Sequence, residues 1–210
     1  MSFAPIVESE STADKRAVRA AVAAPLTDPE VSRLIVFPSA VEGADAFFAQ
    51  VMAVLMAMDR LDVEVAYCAP APTRATRIYR LPHGAAARRL AEEGHARDLP
   101  LIRDDAGTVL VGRARHRGAD DAKLHGETYV DNDRLFNGEV RGVEIEPLPE
   151  PPGLRARLER PLIAPRWHLG RAAQTGGTNI VVEREGVLTP RVVKRSTFYR
   201  HHVDMKLVCP

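Results

Sequence analysis

The densest set of side chains able to hold an anion lies near the end of the chain. Between positions 191 and 206 stand Arg191, Lys194, Arg195, Arg200, His201, His202 and Lys206, opposed by a single acid, Asp204. Guanidinium groups grip phosphate or carboxylate through paired hydrogen bonds and stay charged at every relevant pH. Phe198 and Tyr199 interleave with these cations, so stacking on a ring is open to the same segment. In a strand, Arg195 and Thr197 share one face while Ser196 and Phe198 share the other, which lets Phe198 anchor a core with Arg195 in water. The competing reading is a solvated strand face.

A second candidate is the turn FPSAVEG at residues 37–43, between an apolar run and a helical one. Ser39 and Gly43 would bracket backbone amides at the start of that helix, where phosphate is held by helix N-termini. One glycine makes neither a G-x-G-x-x-G fingerprint nor a Walker loop, so a plain strand–helix connection competes with it. A third candidate, GRAAQTGGTN at residues 170–179, reads either as a pocket lining or as a polar turn between strands. The acids Asp104, Asp105, Asp120, Asp121, Asp131 and Asp133 come in close pairs, as Mg²⁺ ligands do. Each pair also falls at an expected turn, where Asp is favoured by local hydrogen bonding.

Other chemistry is missing. Cys68 and Cys209 are far apart without a C-x-x-C, and His201-His202 has no third ligand at metal spacing, so no metal site is expected. Ser, Cys and His never fall into a nucleophile elbow. The sequence assigns no cofactor and does not decide whether the protein is an enzyme.

The elements that must position these residues change character along the chain. Residues 1–12 read as a loose tail and 13–24 (ADKRAVRAAVAA) as a helix limited by Pro25. Residues 33–37 (RLIVF) read as a strand and 43–58 as a helix apolar nearly all round, hence buried on more than one side. Its Phe47, Phe48, Val51, Leu55 and Met58 are expected in the core. Residues 62–68 (DVEVAYC) alternate as a strand does, completing one βαβ unit. A linker is expected over 70–81 and a helix over 83–93, closed by Gly94. From about Leu99 the segments shorten and turns come every 8–12 residues, the texture of a β-sandwich or barrel. In that region Asp131–Asp133 reads as a hairpin, Asn137-Gly138 as a two-residue hairpin turn, PLPEPP at 147–152 as a stiff connector, and 154–158 as a strand ended by Pro161. The fold class is therefore α+β: an N-terminal tail and helix (1–24), an α/β part (25–98) and a β-rich part (99–210).

Composition narrows the function classes. The 210 residues are 45% hydrophobic and 27% charged, enough to bury a core, and the net charge is +1. That balance disfavours a protein living by an electrostatic grip on nucleic acid. The most apolar run, 44–58, is shorter than the ~20 residues of a bilayer span. Two distant cysteines and no leader pattern fit a soluble cytoplasmic protein.

The order of parts resembles the diacylglycerol kinase-like family of lipid kinases, related to NAD kinases. LPHGAAARRLAEEG at 81–94 resembles the helix after the family's nucleotide site, residues 100–113 its entry strand into the sandwich, and Glu183-Arg184-Glu185-Gly186 its late turn. The resemblance implies a small α/β nucleotide-binding domain joined to a β-sandwich. The family's G-G-D-G-T motif is absent, and Glu185-Gly186-Val187 stands where the family has Asp-Gly-Glu, so no catalytic residue carries over. Two functions follow. One is a non-catalytic binding protein holding a phosphorylated small molecule, a lipid headgroup or a partner protein. The other is a phosphotransferase with an altered loop at Ser39 and Gly43, its acid drawn from Asp104, Asp105 or Glu185.

Overall fold

A computed structural model describes residues 2–9, 14–160 and 166–210. The end of the expected tail (10–12), the expected first helical residue Ala13 and the expected stop at Pro161 lie outside the described residues. The chain divides into two units, Met1–Leu99 with Val203–Pro210, and Pro100–His202. The class is α+β, as the patterning implied.

The first unit carries a five-stranded sheet. Its strands are β1 (Ser2–Val7), β2 (Val31–Phe37), β3 (Glu64–Tyr67), β4 (His95–Leu99) and, from the end of the chain, β15 (Met205–Cys209), in the order β1-β2-β3-β15-β4. The first four strands of that order run parallel to their neighbours, and β4 runs antiparallel to β15. Four helices accompany it: α1 (Lys15–Ala23), α2 (Ala44–Ala57), α3 (Arg74–Ile78) and α4 (Ala85–Glu93). The expected βαβ unit is β2-α2-β3. Helix α2 buries Phe47, Phe48, Val51 and Leu55, while Met58 caps its end half-buried. Phe48 stacks on Tyr67 of β3 with ring centroids 4.4 Å apart.

Three expectations change here. Ser2–Val7 is an edge strand rather than tail, because parallel pairing with β2 gives its backbone partners and buries Ala4 and Ile6. The linker over 70–81 contains α3, set by a reciprocal capping box between Thr73 and Thr76. The last strand leaves the β-rich part: Leu207 and Val208 are apolar on both faces, which suits a central strand between β3 and β4 rather than a half-exposed one.

One buried cation ties this unit together. Arg33 on β2, 2% exposed, donates to Glu64 Oε2 of β3 and to the carbonyls of Ala91 and Gly94 at the end of α4, at 2.8, 2.6 and 2.9 Å. Its guanidinium lies over the Phe3 ring of β1. A cation is favoured at a helix C-terminus, and here it also satisfies carbonyls that the helix leaves open.

The second unit is a ten-stranded sheet. Its strands are β5 (Ile102–Asp104), β6 (Val109–Leu110), β7 (Ala114–Gly118), β8 (Leu124–Val130), β9 (Asp133–Val140), β10 (Gly142–Pro147), β11 (Leu154–Leu158), β12 (His168–Gly170), β13 (Ala172–Arg184) and β14 (Val187–Arg200). The main path is β12-β11-β10-β7-β13-β14-β5-β6, and β8 branches from β13 to carry β9. The Asp131 hairpin joins β8 and β9 as expected. Asn137-Gly138 is not a turn: both residues lie inside β9, opposite Glu127 and Gly126. Gly138 has the positive φ that an isolated strand glycine signals, but the chain continues straight through it.

Replacing Arg33 with Ala would leave Glu64 without its ion-pair partner and the α4 carbonyls without a donor. We expect a loss of about 3–5 kcal/mol, the range for breaking a buried pair on one side, read from the urea midpoint. Leu55→Ala, at a fully buried site, is expected to cost about 2–5 kcal/mol by the same measurement.

Candidate functional site

In the first unit, Gly43 is the N-cap of α2 and Ser39 lies in the turn before it. Both stand where the sequence put them, between a strand and a long helix. The amide and hydroxyl of Ser39, however, already donate to Glu8 Oε2, at 2.8 and 3.0 Å. Asp45, in the first turn of α2, accepts from the Tyr67 hydroxyl at 2.9 Å and from the amide of Ala75, in the first turn of α3, at 3.0 Å. The Ser39 groups that could meet a phosphate therefore meet the Glu8 carboxylate, and Glu42 adds a further acid to the turn.

In the second unit the proposed acids are held. Asp104 is fully buried in the β5–β6 turn. Its Oδ1 accepts from the amides of Ala106 and Thr108, and its Oδ2 pairs with the Arg184 guanidinium at 2.5–2.6 Å. Glu185 forms, with Gly186, the two-residue turn between β13 and β14, both at positive φ, as a hairpin of this kind requires. Its carboxylate accepts from the amides of Val111, Gly112 and Arg113 at 2.8, 2.9 and 3.1 Å. Asp131 likewise clamps the amides of Arg171 and Ala172. These acids fasten backbone; only Asp105 of the phosphotransferase set is exposed. Among the described residues no cluster of His, Cys, Asp and Glu could hold a metal ion.

The Gly-Gly segment is strand, not pocket. Residues 172–184 form β13, whose first half pairs with β8 and whose second half pairs with β7. A Cβ on Gly126 would collide with the carbonyl of Gly176, so glycine is needed where the strands converge. Asn179 latches this bend by accepting from the His125 amide and donating to the Lys123 carbonyl.

The cationic cluster divides along β14. Arg191, Lys194 and Arg195 are exposed, and their side chains make no hydrogen bond or ion pair with a described residue. Arg200 and His201 are half-buried: Arg200 sits opposite Ile102 of β5, and the His201 amide donates to the Leu101 carbonyl. Ser196 and Phe198 face the core, the alternation the sequence required. Several arginines elsewhere are paired, while Arg19, Arg89 and Arg134 are exposed without an ion pair among the described residues, as the β14 cations are. Across four strands Arg157, Glu144, Arg115 and Glu183 stand in one row, with Arg157–Glu144 and Arg115–Glu183 contacts of 2.7 and 3.3 Å. Trp167 lies against the guanidiniums of Arg155 and Arg157.

Sequence reasoning missed His116. It is fully buried on β7, with Nδ1 2.7 Å from Thr175 Oγ1 and Nε2 3.0 Å from Ser196 Oγ; Thr175 in turn contacts Thr128 at 2.6 Å. The signal was present: in ARHRG, Ala114, His116 and Gly118 share a face opposite Arg115 and Arg117. Burial, reinforced by the Arg184 charge, lowers the His116 pKa to about 3. The ring is therefore neutral, enclosed among hydroxyls and out of reach of any substrate.

No protein-family model matches the chain, and no curated protein matches its sequence. Solved structures do. A diacylglycerol kinase from Bacillus anthracis str. Sterne superposes with a TM-score of 0.65 at 9% identity, over 99% of this chain and 96% of that one. An NAD kinase from Archaeoglobus fulgidus, crystallised in complex with ATP, superposes with a TM-score of 0.61 at 9% identity, over 99% and 93%. The chain has the fold of the diacylglycerol kinase-like and NAD kinase-like proteins. Among the described residues no helix is long and apolar enough to cross a membrane.

Because His116 binds its proton only near pH 3 in the fold and near 6.5 when unfolded, the unfolded chain holds the extra proton between those values. Stability is complete above pH 6.5 and declines as pH falls toward 3, by about 1.4 kcal/mol per unit for this one proton. His116→Gln should flatten that slope in urea titrations. Glu185→Ala, which strands three amides, is expected to cost about 1–3 kcal/mol and to speed hydrogen exchange at residues 111–113.

Proposed function

We propose that this chain is a non-catalytic binding protein on a lipid-kinase-like scaffold, taking anionic ligands on the exposed cations of β14. The observation that carries the reading is the engagement of the groups that phosphoryl transfer would need. Three backbone amides occupy the Glu185 carboxylate, and Glu8 occupies the amide and hydroxyl of Ser39. A second negative group near Glu8, Glu42 and Asp45 meets repulsion rather than a cradle. The remaining acid, Asp105, has no neighbouring carboxylate free to share a magnesium ion with it, since Asp104 is paired to Arg184. Arg191, Lys194 and Arg195, in contrast, are charged, exposed and unneutralised. Its two free, buried thiols support a cytoplasmic protein, since thiols stay reduced there.

Thermal unfolding with ATP, NAD⁺ and Mg²⁺, singly and together, tests this. A ligand at a hundredfold excess over Kd would stabilise the fold by about 2.7 kcal/mol. No transfer of the terminal phosphate of labelled ATP to diacylglycerol, NAD⁺ or water is expected, and any shift with ATP or NAD⁺ is expected to be independent of Mg²⁺. A nucleotide-dependent shift with transfer would establish the alternative, a phosphotransferase with an altered loop.

A further inference from the structure

We infer that the free edge of β14 takes up an acidic extended segment of a protein partner as an added strand. The inference rests on the reading of the chain as a binding protein and names the partner class of its cationic strand.

The edge is open over most of its length. Strand β5 meets β14 only at Phe198, Tyr199 and Arg200, and the Thr197 carbonyl accepts from the Asp105 amide. From 187 to 196, no described residue pairs with β14 on the side away from β13. Unpaired strand edges present a ready row of donors and acceptors to another chain. Residues 187–192 are exposed on both faces as well, and Val187, Leu188 and Val192 are 59, 50 and 49% exposed. Three large apolar side chains on one uncovered strand exceed the scatter of single surface hydrophobics.

Charge selects the occupant. No acid occurs from 187 to 203, while Arg191, Lys194 and Arg195 stand unneutralised. A second copy of the chain fits poorly: antiparallel pairing centred on Arg191, Val193 or Lys194 sets cation against cation, and like charges directly opposite destabilise a strand pair. Pro190 withholds a donor, and the register with β13 shifts between Thr189 and Val193, so the strand is bulged there. These features guard against self-association; a second register shift with β13 falls opposite Val193–Arg195, while the outer edge of 193–196 has no ladder partner among the described residues. A small phosphorylated molecule on an open strand would bury little of itself, since such ligands need concave sites. An extended segment instead pairs its main chain with the edge, and its alternate acids face Arg195 on one side of the sheet or Lys194 on the other.

The test uses the full chain and a fluorescent peptide of alternating Glu and Val, about ten residues long, the span of a long strand. Controls are an equally acidic peptide interrupted by Pro and Gly, a Lys–Val peptide, and vesicles of phosphatidylserine and phosphatidylcholine. The Glu–Val peptide is expected to bind and to slow amide exchange at residues 193–196 by roughly tenfold or more, with binding lost in the Lys194→Glu/Arg195→Glu variant. Should that variant not fold, Lys194→Gln/Arg195→Gln serves, with the same loss. Equal binding of the Pro–Gly peptide, unchanged exchange, preference for the vesicles, or no binding of the Glu–Val peptide overturns the inference. A chain inert to nucleotides that also ignores the peptide loses this inference alone. A chain that transfers phosphate from ATP loses the binding-protein reading whatever the peptide does.

Discussion

Strand β13 imposes the constraint on which the second unit depends, because the ten-stranded sheet branches at it. One edge pairs with β14 along its length, while the other is shared between β8 at its start and β7 at its end. The chain must bend where the sharing changes, at Gly176 to Asn179, and the register shifts there. Close approach at that bend excludes a side chain on Gly126, and Asn179 supplies the hydrogen bonds that the diverging ladders give up. The same divergence brings inward-facing residues of β7, β8, β13 and β14 together. A polar chain through Thr128, Thr175, His116 and Ser196 fills that junction with each ring nitrogen of His116 matched to a hydroxyl. A buried polar group is tolerated only when matched in this way.

A second regularity runs through both units: ionised side chains act as fasteners of backbone. Arg33 holds the carbonyl end of α4, Asp104 the β5–β6 turn, Glu185 residues 111–113, and Asp131 the start of β13. Each replaces a contact that the main chain cannot make with itself at a turn or helix end. The chemical consequence follows from occupancy. A carboxylate accepting from three amides has its lone pairs directed at protein and is poorly placed to take a proton from a substrate or to bind magnesium. Asp104, Glu185 and Asp131 thus stand in structural duty, and likeness of fold to kinases does not by itself carry the activity.

The sequence made the α/β core readable because its signals were local and periodic. FFAQVMAVLM is apolar all round and had to be buried; DVEVAYC alternates and had to be a strand. The period-two rule also placed Ser196 and Phe198 inward and Arg195 outward. What stayed hidden depended on contacts far apart in the chain. SFAPIV becomes a strand only because β2 offers it a parallel edge, and MKLVC joins the first unit only because β3 and β4 leave a gap between them. Asn137-Gly138 misled because a turn signal read locally is overridden when both residues find ladder partners in β8. At the candidate sites, residue type was legible but occupancy was not. Ser39 and Glu185 have the chemistry of a phosphate site and a catalytic acid. Nothing in their neighbourhood announces that Glu8 and residues 111–113 fill them.

Part of the chain's charge is answered within the fold. The arginines of β7 and β11 face glutamates across strand registers, Arg184 faces Asp104, and Arg33 faces Glu64. Other cations of the chain are exposed and have no ion pair among the described residues, Arg19, Arg89 and Arg134 among them. Arg191, Lys194 and Arg195 are such groups, and they lie on the one long stretch of β14 without a second ladder partner. At physiological ionic strength charges act over about 8 Å, so the distant acids of the chain do little to neutralise this strand. The fold thus sets free hydrogen-bonding backbone and free positive charge on the same few residues. Either alone is commonplace on a protein surface; the proposed acidic, extended segment would meet both at once.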